Sequence, residues 1–383
     1  MLREKIGPVQ AGLLAFNQVF GTAVLFLPDF VVASARQDAW IAGLLATLVG
    51  AGLAWFYCTL ALRFPGRNLI EILRLTFGRW LGDMLGWLFF AWWTVSLALI
   101  IREFVEFQLS AALRFTPIVV IDASFLVVAW YAVRAGLEVI ARLETLIFPF
   151  SAVATLGIVI FISQQLDLRY VLPILENGVR PVIHGALYHL AWMGEAIIAM
   201  VLWMPYSSHP VRARRWIVGG TIVAGLATTV LTALPVALFG PQFTKQLLLP
   251  VYSVVQAINV SDFITNADPV FVVFWTLENF VRVAQGYLSA TLMLAGLLGL
   301  RSYRPVASAM GAFLCAFSIW AWSNVSELLT FLGNVWAPAA LSYNDLGLPL
   351  LTWAVAALRG LRPGSMWEET VTEAAEGYPL YRG

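Results

Sequence analysis

Two stretches decide the reading of this chain: residues 9–35, VQAGLLAFNQVFGTAVLFLPDFVVASA, and residues 182–206, VIHGALYHLAWMGEAIIAMVLWMPY. Each is long and apolar enough to cross a hydrocarbon core, yet each carries polar and helix-weakening residues near its middle. The first holds Asn17, Gln18, Gly21 and Thr22 before Pro28, and the second holds His189, Gly194 and Glu195 before Pro205. A bilayer offers no water to a freed backbone amide, so an interrupted span survives only where it faces a protein-lined cavity. Interruptions at corresponding places in two halves of a chain point to a transporter-type binding site between repeats.

The rest of the chain agrees with a membrane setting. Of 383 residues, 60% are hydrophobic and only 12% charged, about half the charged share of a soluble domain. A net charge of +1 gives no reason to expect nucleic acid or another polyanion as a partner; membrane lipids are the surroundings this composition demands. The 2 cysteines, Cys58 and Cys315, sit inside apolar runs as packed hydrophobes. Ala33-Ser34-Ala35 imitates a signal-peptidase site, but the run before it is about twice the usual length and holds Asn17, Gln18 and Pro28. It reads as a retained span.

Counting apolar stretches of about 20 residues gives about ten spans. They fall at 9–35, 39–62, 83–108, 117–135, 143–165, 182–206, 216–239, 269–300, 305–323 and 338–358, the last interrupted by Pro338 and Pro349. With the N-terminus inside, the arginines around 63–79, 134–142, 212–215, 301–304 and 359–362 collect on the cytoplasmic side. That bias places both termini in the cytoplasm. An odd number of spans per half forces the second half to insert upside down. The predicted fold is therefore an all-α bundle of five-plus-five inverted repeats, roughly 9–165 and 182–358, with helices 1 and 6 broken.

Three segments lie outside this scheme. Residues 68–80 (NLIEILRLTFGRW) have helical amphipathic spacing and suit the cytoplasmic face. The connection 240–268 is too long for a bundle turn and reads as an outer loop with short interfacial elements. The transmembrane domain ends near 362, and residues 363–383 form an acidic cytoplasmic tail with no apolar face.

The interrupted spans suggest a zwitterionic ligand. Free N–H groups after Gly21 and Thr22 would meet a carboxylate, and carbonyls around Trp192, Met193 and Gly194 would accept from an ammonium. The alternative is that both glycines are helix-packing positions. Glu195 sits mid-span, where an ionised carboxylate costs about 2.5–3.5 kcal/mol, so it must be paired, neutral or wet. In the eighth span Glu278, Arg282, Gln285 and Ser289 recur at spacings of four, three and four and form one stripe. That stripe cannot face lipid, and Glu278 one turn from Arg282 is its natural local partner. Arg102, Glu103 and Glu106 close the third span near the outer face, where Arg102 and Glu106, as i,i+4 partners, read as a stabilising surface or vestibule pair. No phosphate-binding glycine loop, zinc-binding histidine pair or nucleophile elbow occurs. The sequence therefore predicts no cofactor, no metal and no enzyme.

Several ordered motifs carry a resemblance: FNQVFGTAVLFLP (16–28), TPI (116–118), GLEVIARLETLIFP (136–149), LPILENGVRPVIHG (172–185), DPVFVVFW (268–275) and GLRSYRPV (299–306). Together they resemble the spore germination receptor B-subunit family, within the amino acid, polyamine and organocation transporter superfamily. The resemblance implies a ten-span, transporter-like subunit of the spore inner membrane. Such a subunit senses a nutrient, typically a small amino acid, beside an A-type membrane subunit and a C-type lipoprotein. It also implies that Gly21, Thr22, the region of Gly194 and the inward face of the eighth span line the pocket. Arg282 stands where the family often has lysine. A proton-coupled amino-acid transporter would need much the same site, so the residues alone leave sensing and transport both open.

Overall fold

A computed structural model describes residues 4–258 and 268–361. The tail predicted at 363–383 and the polar stretch 259–267 lie outside the described residues. Helix α1 (Pro8–Ala35) turns through one 3-10 turn into α2 (Ala39–Leu62), and a short α3 (Leu69–Phe77) precedes α4 (Arg79–Ala111), α5 (Ile118–Ala135) and α6 (Leu137–Ile162). Then come α7 (Val179–Gly194), α8 (Pro210–Phe239), two short helices α9 (Pro241–Thr244) and α10 (Pro250–Gln256), and α11 (Asp268–Leu297). The chain closes with α12 (Arg304–Trp320) and a last segment, Val325–Leu358, made of α13 (Val325–Phe331), α14 (Ala337–Ala339) and α15 (Leu348–Leu358) joined by π-helical turns.

Among the described residues, seven helical stretches are long and apolar enough to cross a membrane, and α12 with Val325–Leu358 forms one further pair bent by 105°. The first stretch, Pro8–Leu62, has 55 residues. As one helix it would be about 80 Å long, far more than a bilayer. Both of its helices pack along α7 and α8, so the chain folds back between them. With that stretch and the bent pair each supplying two helices, the described residues hold ten segments, in line with the count of apolar stretches.

The packing comes in related pairs. Helix α1 lies on α8 as α7 lies on α2; α4 meets α12 as α11 meets α5; α6 meets α1 as the last segment meets α7. Matching each helix of the first half with the fifth segment after it reproduces these contacts, the relation that an inverted repeat requires. One group holds α1, α2, α7 and α8, the other α4, α5, α11 and α12. The α1–α8 contact is close because glycines face it: a Cβ on Gly12 would stand 2.7 Å from the Trp216 carbonyl oxygen, and one on Gly220 would strike the Gly12 carbonyl.

Two expectations about the breaks need correcting. The first span is not interrupted, since α1 is helical from Pro8 through Pro28 to Ala35. Gly21 serves packing: a Cβ there would lie 3.2 Å from the Arg282 Cβ and 3.3 Å from its Cγ. The free N–H groups predicted after Gly21 and Thr22 are therefore committed to the helix. The sixth span does change winding, but it does not unravel. Its α-helix stops at Gly194, and one 3-10 turn (Glu195–Ile197) and one π turn (Ala199–Trp203) carry it onward.

The last segment also departs from α geometry, with π turns at Leu332–Trp336 and Ala340–Gly347. Pro338 and Pro349 flank the second of these, and each lacks the N–H that a regular ladder needs. Helix α3 is capped as its sequence suggests, Asn68 Oδ1 accepting from the Glu71 N–H and the Glu71 carboxylate from the Asn68 N–H. Helix α10 buries Val251, Tyr252, Val254 and Val255 against α8, α1 and α11. It is thus a packed plug in the bundle rather than an interfacial element.

Candidate functional site

The stripe predicted on the eighth span is real and fully enclosed: Glu278, Arg282, Gln285 and Ser289 of α11 are all 0% exposed. The partners of Glu278, Arg282 and Gln285, however, come from other helices. The Arg282 guanidinium forms its ion pair with Glu195, at the point where α7 gives way to the 3-10 turn. Its stem lies across Gly21, whose missing side chain opens the path. The local Glu278–Arg282 pairing is thereby overturned, because the fork reaches across α1 to a carboxylate on the sixth span. Arg282 keeps Nε and Nη1 without hydrogen-bond partners.

Glu278 turns instead to α1. Asn17 Nδ2 donates to the Glu278 carboxylate at 2.6 Å and to its carbonyl at 2.9 Å, while Asn17 Oδ1 accepts from Gln285 Nε2 at 2.9 Å. Gln285 Oε1 in turn accepts from the indole of Trp203 in the π turn. One amide thus ties α1 to α11, and Gln285 extends the tie to the sixth span. Replacing Asn17 with alanine strands the buried Glu278 carboxylate and leaves Gln285 Nε2 only the Leu14 carbonyl, at about 1–3 kcal/mol for each unsatisfied group. A thermal unfolding midpoint in detergent well below that of the unaltered chain is the expected result.

The other predicted residues divide. Trp192 is buried, with its ring edge-on to Trp336 at 4.9 Å, and Trp336 donates to Ser96 of α4. It walls the region between the break, α4 and the last segment. Gly194 faces Asp345, whose carboxylate occupies the place of a side chain there. Met193 points away, packed between Gly50 of α2 and Gly225 of α8. Ser289 donates to the Gln285 carbonyl within its own helix. Gln18 is fully buried with neither amide atom bonded, and Thr22 is buried on α1.

Acidic residues outside the prediction join this centre. Glu103 of α4 is 1% exposed and within electrostatic range of Glu195 and Arg282. Asp345 of the last segment is 0% exposed, and Glu144 of α6 is 0% exposed and near Glu278. Reading every intramembrane acid as a site marker would have found all three. Arg102 does pair with Glu106 at 2.8 Å, as its spacing predicts. One turn beyond Glu103 and Thr22, a cavity of about 260 Å³ opens between Phe26, Phe107, Leu248 and Val325.

Residues 5–325 match the family model described as spore germination protein. The chain belongs to that family. Spore germination protein KB of Bacillus subtilis (strain 168) is 27% identical over 314 residues, covering 81% of this chain and 83% of that protein. Among solved structures, the nucleobase-cation-symport-1 family transporter Mhp1, in a closed conformation with bromovinylhydantoin bound, aligns with a TM-score of 0.66 at 16% identity. That alignment covers 88% of this chain and 76% of Mhp1. MhsT in complex with L-phenylalanine aligns with a TM-score of 0.66 at 12% identity, covering 93% of this chain and 100% of MhsT. The fold is thus the one these transporters share, and this member of the spore germination protein family is an integral membrane protein built on it.

Proposed function

We propose that the chain is the nutrient-sensing membrane subunit of a spore germinant receptor, binding a small amino acid between α1, α4, the altered sixth span and α11. The observation that carries this reading is the buried Glu195–Arg282 ion pair, which spans the change of winding and leaves Nε and Nη1 of Arg282 unused. An amino acid supplies the same two charges. Its carboxylate meets the spare donors of Arg282 and its ammonium meets the glutamates, so binding competes with the ion pair and shifts the sixth span. An A-type membrane subunit and a C-type lipoprotein read that shift in the spore inner membrane. Both termini are cytoplasmic, and the halves 9–165 and 182–358 are the two repeats.

Buried acids in a transporter fold favour one rival, a proton-coupled amino-acid transporter. The two separate when the purified protein is placed in liposomes and given radiolabelled amino acids under an imposed proton gradient. Saturable binding without accumulation is the result expected of a sensor. Accumulation that collapses when the gradient is dissipated would replace sensing with transport.

A further inference from the structure

The charges gathered at the centre do not balance. Glu103 lies two helical turns beyond Ser96 on one face of α4, and Ser96 accepts from Trp336, so this face looks into the bundle. There Glu103 Oε1 has no hydrogen-bond partner. Asp345 stands on the other side of the break with its Oδ2 unpartnered and its carboxylate against Gly194, within range of Glu195. From α2, Tyr57 donates to the Asp345 carbonyl, and α1 contributes only the uncharged Asn17, Gln18 and Thr22 at this depth. Glu195 and Glu103 therefore share the Arg282 guanidinium, and Asp345 adds a third carboxyl group on the far side of Glu195.

That guanidinium is already met by Glu195, so an incoming carboxylate finds a neutralised cation. An incoming ammonium finds a carboxyl group with a free oxygen and no cation of its own. We propose that Glu103 is an ammonium-binding residue, and that the site selects its ligand by the ammonium group rather than by the carboxylate. This rests on the reading of the site as one for small amino acids and narrows it. Binding the ammonium gives the excess acid a cation outright, whereas the carboxylate gains its donors only by disturbing the Arg282–Glu195 pair, the disturbance that shifts the sixth span.

The test uses the full chain in lipid nanodiscs and the twenty standard amino acids, followed by a panel of simple primary amines and simple carboxylic acids. For the amino acid that binds, the decarboxylated amine is expected within about tenfold of its affinity and the deaminated acid about a hundredfold weaker. Glu103→Gln weakens the amino acid and the amine by about tenfold or more, and Glu103→Asp restores part of the loss. Equal binding of acid and amine, or unchanged binding by a folded Glu103→Gln variant, overturns the proposal. Should that variant not fold, the analogue comparison on the unaltered chain decides alone. Binding of amines without any amino acid sustains ammonium selection and removes the amino-acid reading; binding of carboxylic acids alone, or of nothing, removes both.

Discussion

Arg282→Met is expected to destabilise the protein by about 3–5 kcal/mol and to abolish ligand binding, because it leaves Glu195 buried without its cation. Arg282 is 0% exposed and Glu195 3% exposed, so neither charge can turn to water when its partner is lost. Stability alone would not distinguish a site from a structural strut. The double variant Glu195→Met with Arg282→Met separates them. Replacing a buried ion pair by apolar residues of similar volume is often neutral or stabilising, so the double variant regains most of the lost stability. It still binds the amino acid about tenfold more weakly than the unaltered chain does, since the carboxylate has lost its donors while Glu103 remains. Thermal unfolding and equilibrium binding on the same preparations check both halves; a double variant that binds normally removes the pair from the site. Arg282→Lys keeps the charge without the planar fork, and should fold while binding more weakly.

The second large effect is expected at Gly194. A Cβ there would overlap the Asp345 carboxylate, so Gly194→Ala forces the sixth span away from the last segment, at about 1–3 kcal/mol. The same displacement moves Glu195 off Arg282, and ligand binding falls with stability. Asp345→Ala alone is expected to cost about one hydrogen bond, roughly 1 kcal/mol, because Oδ1 accepts from Asn344 Nδ2 while Oδ2 has no partner to lose. Combined with Gly194→Ala it removes the overlap, so the double variant is more stable than Gly194→Ala alone. A coupling energy of about 1 kcal/mol or more in the cycle is the signature of the contact. Additive losses would show that the new methyl is resisted by something other than the Asp345 carboxylate.

The architecture was readable because a bilayer imposes long apolar runs, and their number and basic flanks survive in composition alone. The stripe on α11 was readable for the same kind of reason, since four polar residues at helical spacing cannot face lipid. Their partners were not readable. Local spacing favours Glu278 for Arg282, but the distance from α11 to Glu195 is set by Gly21, a residue on a third helix. Glu103 was grouped with the Arg102–Glu106 pair at the outer face, and local spacing gave no sign that it alone turns into the bundle. Asp345 lay in the span whose prolines made its winding hardest to assign. Gly21 itself shows how one residue type serves two ends: in the sixth span a glycine marks the change of winding, and in the first it makes room for an arginine stem.

That difference makes the molecule mechanically one-sided. The two halves share their packing scheme, but α1 is a rigid post locked to α8 at Gly12 and Gly220, while its counterpart is jointed at Gly194. If a ligand binds at Arg282 as proposed, its work would be taken up at that joint, and the last segment, interrupted by π turns and resting on the joint through Asp345, would be the lever that carries it outward.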